Sequence, residues 1–335
     1  MANALSNPIL VELTRGGAVE SVHRGSVAVC DAKGRVQFAL GAIDAAVFPR
    51  SAFKVMQALP LVETGAADRY GVSDEELALA CASHSGEAMH VTRVRAWLKR
   101  LGLSESDLAC GPHPPVNEDA AKALVRSGEA PTRAHNNCSG KHTGFLTLAL
   151  HLGASTQGYE ALDHIVQQRV RAAVAEICGV AEADLRAGID GCAAPNYAMP
   201  LKALATGMAR IADPTSLPEA RAAAARRLNA AVKAHPALVA GTGRACSVLT
   251  PQLRHAATVK TGAEGVFTAV IPGLKLGVAL KIDDGATRAS ETAIASVLVR
   301  LGVLDAAAAR PFTQAPILNT RGQEAGERRA AAALA

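Results

Sequence analysis

The sequence predicts a mixed α/β (α+β) protein, with one antiparallel sheet assembled from the N- and C-terminal strands and a helical lobe inserted between them. Three observations predict it. Short runs rich in Val and other strand formers fill the first 50 residues, separated by glycine-bearing turns. Similar runs return only after about residue 255, and the stretch between carries helical spacing and caps. A sheet needs several strands and a covering layer to be stable, so the two ends should come together.

Taken in order, Ile9 to Leu13, Ala18 to His23, Ser26 to Cys30 and Arg35 to Leu40 read as a meander, punctuated by Gly16-Gly17, Arg24-Gly25 and Asp31-Ala-Lys-Gly34. Pro49 precedes a helix over 51–63 that Thr64-Gly65 closes. Ser73-Asp-Glu-Glu76 is a capping box opening a helix that runs toward Ser83. Helices are expected at 87–101, 118–127, 140–151, 158–177, 197–212 and 216–234. Strands follow at 258–260, 266–271 and 274–282, then an amphipathic helix over 287–302. Residues 321–335, ending in an alanine run, read as a frayed helix or disordered tail. The chain is thus expected to be one domain over 1–320, with its sheet from about 5–50 and 255–305 and its lobe from about 51–250. No internal repeat or linker divides it.

Composition excludes several functions. With 335 residues, 49% hydrophobic and only 3% aromatic, the chain can bury a large core, and alanine must fill much of it. The charge of +5 is dispersed, without a basic block interleaved with aromatics, which argues against a nucleic-acid partner. Seven cysteines, at 30, 81, 110, 138, 178, 192 and 246, form no C-x-x-C pair and sit mostly in apolar stretches. That pattern fits reduced thiols in the cytoplasm. No secretory signal and no apolar run long enough for a membrane span is visible.

The chemistry concentrates in a few segments. Ser51-Ala-Phe-Lys54 places a hydroxyl and an amine on one helix face, one turn apart. The surrounding Phe48, Phe53, Val55, Met56, Leu59 and Leu61 predict a buried helix, where desolvation favours the neutral amine that a general base requires. Arg50 is placed to bind an anionic substrate group. Ser83-His84-Ser85 offers a second hydroxyl, and Lys260-Thr261-Gly262 a second amine on a returning strand. S-x-x-K, a second serine motif and K-T-G, in this order, are the signature of β-lactamases and penicillin-binding proteins. The plain alternatives are an N-cap serine, a helix terminator and an edge-strand lysine. His135-Asn-Asn-Cys138-Ser-Gly-Lys141-His142 and Asp190-Gly191-Cys192 read as function-bearing loops. Cys138, His142 and Cys192 could offer soft ligands to zinc, although their spacing matches no standard finger. Asp190 could orient a substrate amine or cap a turn.

These segments together resemble the rhizobial-type L-asparaginases. Pro49-Arg50-Ser51-Ala-Phe-Lys54, Ala82-Ser83-His84-Ser85-Gly86-Glu87, Asn137 to His142, Asp190-Gly191-Cys192 and Val259-Lys260-Thr261-Gly262 carry the resemblance, which spans roughly residues 5 to 305. It implies a fold similar to serine β-lactamases and glutaminases, and two Ser-Lys dyads, Ser51 with Lys54 and Ser83 with Lys260. It also implies a zinc ion held by Cys138, Lys141 and Cys192, beside the substrate but not the source of the nucleophile. Cys138, Lys141 and Cys246 would then lie near the substrate, and the protein would be a homodimer. The expected reaction is hydrolysis of L-asparagine to L-aspartate and ammonia, with Ser51 as nucleophile, Lys54 as base, and Arg50 and Asp190 holding the substrate. A glutaminase, a β-lactam- or peptide-directed hydrolase, and a non-catalytic amino-acid-binding homologue are the alternative expectations.

Overall fold

The computed structural model describes residues 7–334, which fall into two compact units. The sheet unit holds residues 7–52, Met199–Asp213 and 252–334; the lobe unit holds Phe53–Ala198 and Pro214–Pro251. The strands are β1 (Ile9–Arg15), β2 (Ala18–Asp31), β3 (Val36–Leu40), β4 (Ala46–Val47), β5 (Arg186–Ile189), β6 (Pro195–Pro200), β7 (Thr258–Thr261), β8 (Val266–Ile271), β9 (Leu276–Ile282), β10 (Gln314–Leu318) and β11 (Glu324–Ala330).

In the sheet unit the order is β10-β11-β1-β2-β9-β8-β7, with β3 also on β2, and every pairing is antiparallel. The predicted sheet from both ends of the chain is therefore present. Two expected strands turn out to be one. β2 runs unbroken through Arg24-Gly25, pairing first with β1 and then, from Gly25 onward, with β9. Gly25 is not a turn. A Cβ there would lie 2.3 Å from Lys281 O, so glycine admits the neighbouring backbone. Val27 and Val29 pair with Leu280 and Val278, all fully buried. Each such side chain contributes roughly 1.5–3 kcal/mol when buried.

The helix Leu201–Ala212 belongs to this unit rather than to the lobe of about 51–250 that the sequence predicts. It lies directly over β9: a Cβ on Gly277 would sit 2.2 Å from both Ala205 O and Ala209 N. Small residues on both elements permit that approach. The expected tail is corrected as well. Residues 324–330 form β11, in register Val11↔Ala330 and Leu13↔Arg328 with β1, and Arg329 bonds Glu12 at 3.0 Å. Alanine content suggested helix fraying, but the pairing partner lies more than 300 positions away and leaves no local signal.

The lobe unit is helical. Its centre is the helix Ser139–His151, buried continuously from Ser139 to Ala149. A helix buried on all sides must satisfy its polar groups internally, and here Thr143 and Thr147 satisfy their hydroxyls on the carbonyls of Ser139 and Thr143. The expected capping box is formed: Ser73 Oγ accepts from Glu76 N, and Glu76 Oε2 accepts from Ser73 N. The helix it opens, Asp74–Ala80, stops before Ser83, so that Cys81–Gly86 leave as a buried irregular segment.

Candidate active site

In the sheet unit, Arg50 and Ser51 sit in a tight turn continuous with a short 3₁₀ segment, Arg50–Phe53. Arg50 adopts φ +51°, a left-handed conformation that costs a non-glycine residue about 1–3 kcal/mol and persists only where its surroundings enforce it. The enforcement is visible. Ala52 N donates to Pro49 O (3.1 Å), Thr268 Oγ1 on β8 donates to Ala52 O (2.9 Å), and the Arg50 guanidinium lies 3.8 Å from Glu264. Gly262, the glycine of the K-T-G motif, passes over the same turn, and a Cβ on it would meet Pro49 O at 2.6 Å. Lys260 is not a solvated edge lysine: it is 7% exposed, with Nζ donating to Thr261 O at 2.9 Å.

The lobe unit gathers the other polar groups into one buried chain of contacts. Lys54 is 1% exposed, and its Nζ lies within hydrogen-bond distance of Ala82 O, Ser83 Oγ (2.9 Å) and Cys138 Sγ (3.1 Å). Lys141 donates to Cys192 Sγ at 3.1 Å. Cys138 and Cys192 also interact with each other. That interaction lowers the Cys192 thiol, with Lys141 and His142 adding to the effect, and raises Cys138. Burial alone would lower the Lys141 amine, yet the two cysteines more than offset it and hold its pKa above the ordinary lysine value. In the absence of a metal, the Lys141 amine and the Cys192 thiol thus favour each other's charged forms.

The local chain dictates these positions. Cys138 precedes the first turn of the central helix, which carries Lys141 and His142 into the interior. Cys192 lies in a turn closed by Ala193 N to Asp190 O and Asp190 N to Ala194 O, with Ala193 at φ +72°. Asp190 itself is partly exposed and accepts from Gly191 N. His142 Nδ1 bonds the Tyr159 hydroxyl (2.7 Å), while its buried Nε2 has no nitrogen or oxygen partner among the described residues and interacts with the Cys192 thiol. Among the described residues no three His, Cys, Asp or Glu side chains converge as metal ligands, so a metal bound here would need the lysine.

Sequence reasoning missed several groups around Ser83. Its amide donates to Val239 O (2.9 Å), and Arg244 Nη1 donates to its carbonyl (3.1 Å). Cys246, buried in the short helix Ala245–Leu249, is two residues further on. Glu87 accepts from Ser85 Oγ, Thr242 N and Thr242 Oγ1. Contacts spanning some 160 positions leave no spacing pattern to read, although the family resemblance implied Cys246 near the substrate.

The sequence matches the L-asparaginase II family model over residues 11–330. The chain belongs to the L-asparaginase II family. It is accordingly a hydrolase of asparaginase type, acting on a small amide substrate, as the motif resemblance implied. Among curated proteins no sequence matches the chain. Solved structures similar to this asparaginase include a protein described as a β-lactamase from Bacteroides dorei DSM 17855, at 14% identity and TM-score 0.41, covering 77% of this chain and 84% of that one. A β-lactamase from Mycobacterium bovis is similar at 14% identity and TM-score 0.39, covering 82% and 94%. No helix among the described residues of the asparaginase is long and apolar enough to cross a membrane.

Proposed function

We propose that this asparaginase hydrolyses L-asparagine to L-aspartate and ammonia through an acyl-enzyme formed by Ser–Lys chemistry. The observation that carries the reading is Lys54: a lysine sealed from water, one helical turn after Ser51 in the chain, with its amine on the Ser83 hydroxyl. Ser51 Oγ attacks the side-chain amide carbon while Lys54, as free amine, takes the hydroxyl proton. Ser83, with Lys260 as its assigned amine, relays a proton to the departing ammonia, and water then cleaves the ester. Backbone N–H groups of the 3₁₀ turn at Ser51 are assigned to the oxyanion. Arg50 and Asp190 are assigned to the α-carboxylate and α-amine, with Cys138, Lys141 and Cys246 beside the substrate.

A zinc ion fits the donor set. Two sulfurs and an amine suit a borderline-soft cation, and an imidazole nitrogen without a nitrogen or oxygen partner among the described residues lies beside one of the sulfurs. Cys138, Lys141 and Cys192 would hold it; the 3.1 Å contact between Lys141 and Cys192 supports the lysine over His142. Bound zinc would supply a fixed positive centre for substrate positioning. The reading extends to a homodimer, as the family resemblance implies. Seven free, buried cysteines are the basis for assigning it to a reducing cytoplasm.

The test is ammonia release from L-asparagine and L-glutamine, run beside hydrolysis of a chromogenic β-lactam. A methylene discriminates by only about 1–3 kcal/mol in a pocket, so a preference for asparagine of about 10- to 200-fold is expected. Preferential turnover of glutamine or of the β-lactam would overturn the substrate assignment, and tight binding of asparagine without turnover would overturn the enzyme reading.

A further inference from the structure

Two histidines that the mechanism does not use close around the Ser83 segment. His84 is fully buried, and its ring stacks on that of His90 with centroids 4.7 Å apart and planes 9° from parallel. Hydrogen bonding fixes the same tautomer in both. His84 Nδ1 accepts from Gly86 N (3.2 Å), so Nε2 carries the hydrogen and donates to Ser139 Oγ (2.9 Å); Ser139 in turn donates to Ala134 O. His90 Nδ1 accepts from Glu87 N (3.2 Å), leaving Nε2–H to donate to Ala237 O (3.1 Å). Each ring holds a backbone N–H of the turn on one side and a distant anchor on the other. His84's anchor adjoins Cys138, which touches Lys54. His90's anchor lies two residues before Val239, which accepts the Ser83 amide.

We propose that His84 and His90 are positioning residues for Ser83, a stacked imidazole pair that clamps the Ser83–Glu87 turn so that the Ser83 hydroxyl stays on the Lys54 amine. The inference rests on the assignment of Ser83 to the proton relay. Protonating either ring would turn its Nδ1 from acceptor to donor and set two N–H groups against each other, and protonating both would place like charges in a stack. The surroundings resist this. His84 faces His90, Lys54, His135 and Arg244, and His90 faces Glu87 and Arg93; burial first, and then the neighbouring basic groups, push His84 well below the ordinary histidine value. The clamp therefore holds at neutral pH and opens in acid.

The experiment is a double-mutant cycle on the full-length enzyme, with folding checked by circular dichroism. His84→Phe keeps a stacking ring and loses both hydrogen bonds; it should lower kcat at least about tenfold while KM moves less than about threefold. His84→Asn restores an acceptor at the Nδ1 position and should recover most of that loss. In the Ser83→Ala background His84→Phe should change kcat by less than about twofold, because a residue acting through Ser83 has nothing left to position. A folded His84→Phe with wild-type kcat, or the same loss in both backgrounds, would overturn the clamp while leaving the role of Ser83 intact. Full turnover by Ser83→Ala alone would remove the relay assignment, and the clamp with it. Should His84→Phe fail to fold, His90→Asn keeps the acceptor for Glu87 but breaks the stack and the Ala237 bond, and is read in the same cycle.

Discussion

At the residue scale the account turns on an amine kept out of water. Ser51→Ala should abolish nearly all turnover and leave the thermal midpoint close to wild type, since a partly exposed hydroxyl is all that is lost; near-normal turnover would remove the nucleophile assignment. Gly262→Ala tests the turn from the other side. Its Cβ would press on Pro49 O at 2.6 Å and shift Arg50 and Ser51, so kcat should fall by one to two orders of magnitude, on the order of 1–3 kcal/mol, while the protein remains folded. Much at this scale was legible. The spacing of Ser51 and Lys54, and the apolar residues around them, foretold a buried lysine. What was not legible is that Lys54 reaches Ser83, 29 positions on, because a chain path through four short helices and a buried irregular segment has no sequence period.

At the scale of elements, two glycines on the central helix make opposite predictions. A Cβ on Gly140 would lie 2.4 Å from Leu79 O, backbone that cannot swing aside, so Gly140→Ala should cost about 1–3 kcal/mol and lower Tm. Around Gly144 the nearest atoms are 3.4–3.7 Å away, ordinary contact distance, so Gly144→Ala should raise Tm through its better helix propensity, by about 0.5–1 kcal/mol. Calorimetry on the pair checks both. The capped start of Asp74–Ala80 and both ends of Ala88–Arg100 were legible almost to the residue, whereas the first of these helices stops short of Ser83. β2 was not, because an Arg-Gly pair that reads as a turn serves here to admit β9. β11 was not either, because its charged, alanine-flanked sequence becomes a strand only when β1 is there to pair with it.

At the scale of the whole molecule, buried neutral histidines make the protein acid-labile. The folded values of His84 and His90 lie below the ordinary 6.5, so the unfolded chain takes up protons first as pH falls, and stability declines from about pH 6.5 downward. Glu87 adds to this lower down: burial raises its carboxyl, but the bonds from Ser85 and Thr242 outweigh burial and hold it below the ordinary 4.5, so its contribution is lost as pH falls through that value. Thermal midpoints across about pH 5 to 8 should therefore fall monotonically on the acid side, and a flat profile would contradict the buried-imidazole account. Metal content belongs to this scale too. Cys192→Ser should lose zinc by mass spectrometry of the purified protein and should no longer be destabilised by a chelator that lowers the wild-type Tm.

The central claim is tested most directly by catching the covalent intermediate. Wild-type enzyme mixed with L-asparagine, quenched in acid within a turnover and digested should yield an aspartyl ester on the peptide containing Ser51, absent from Ser51→Ala. An ester on any other residue, or rapid ammonia release with no protein-bound ester at any quench time, would contradict the Ser–Lys account.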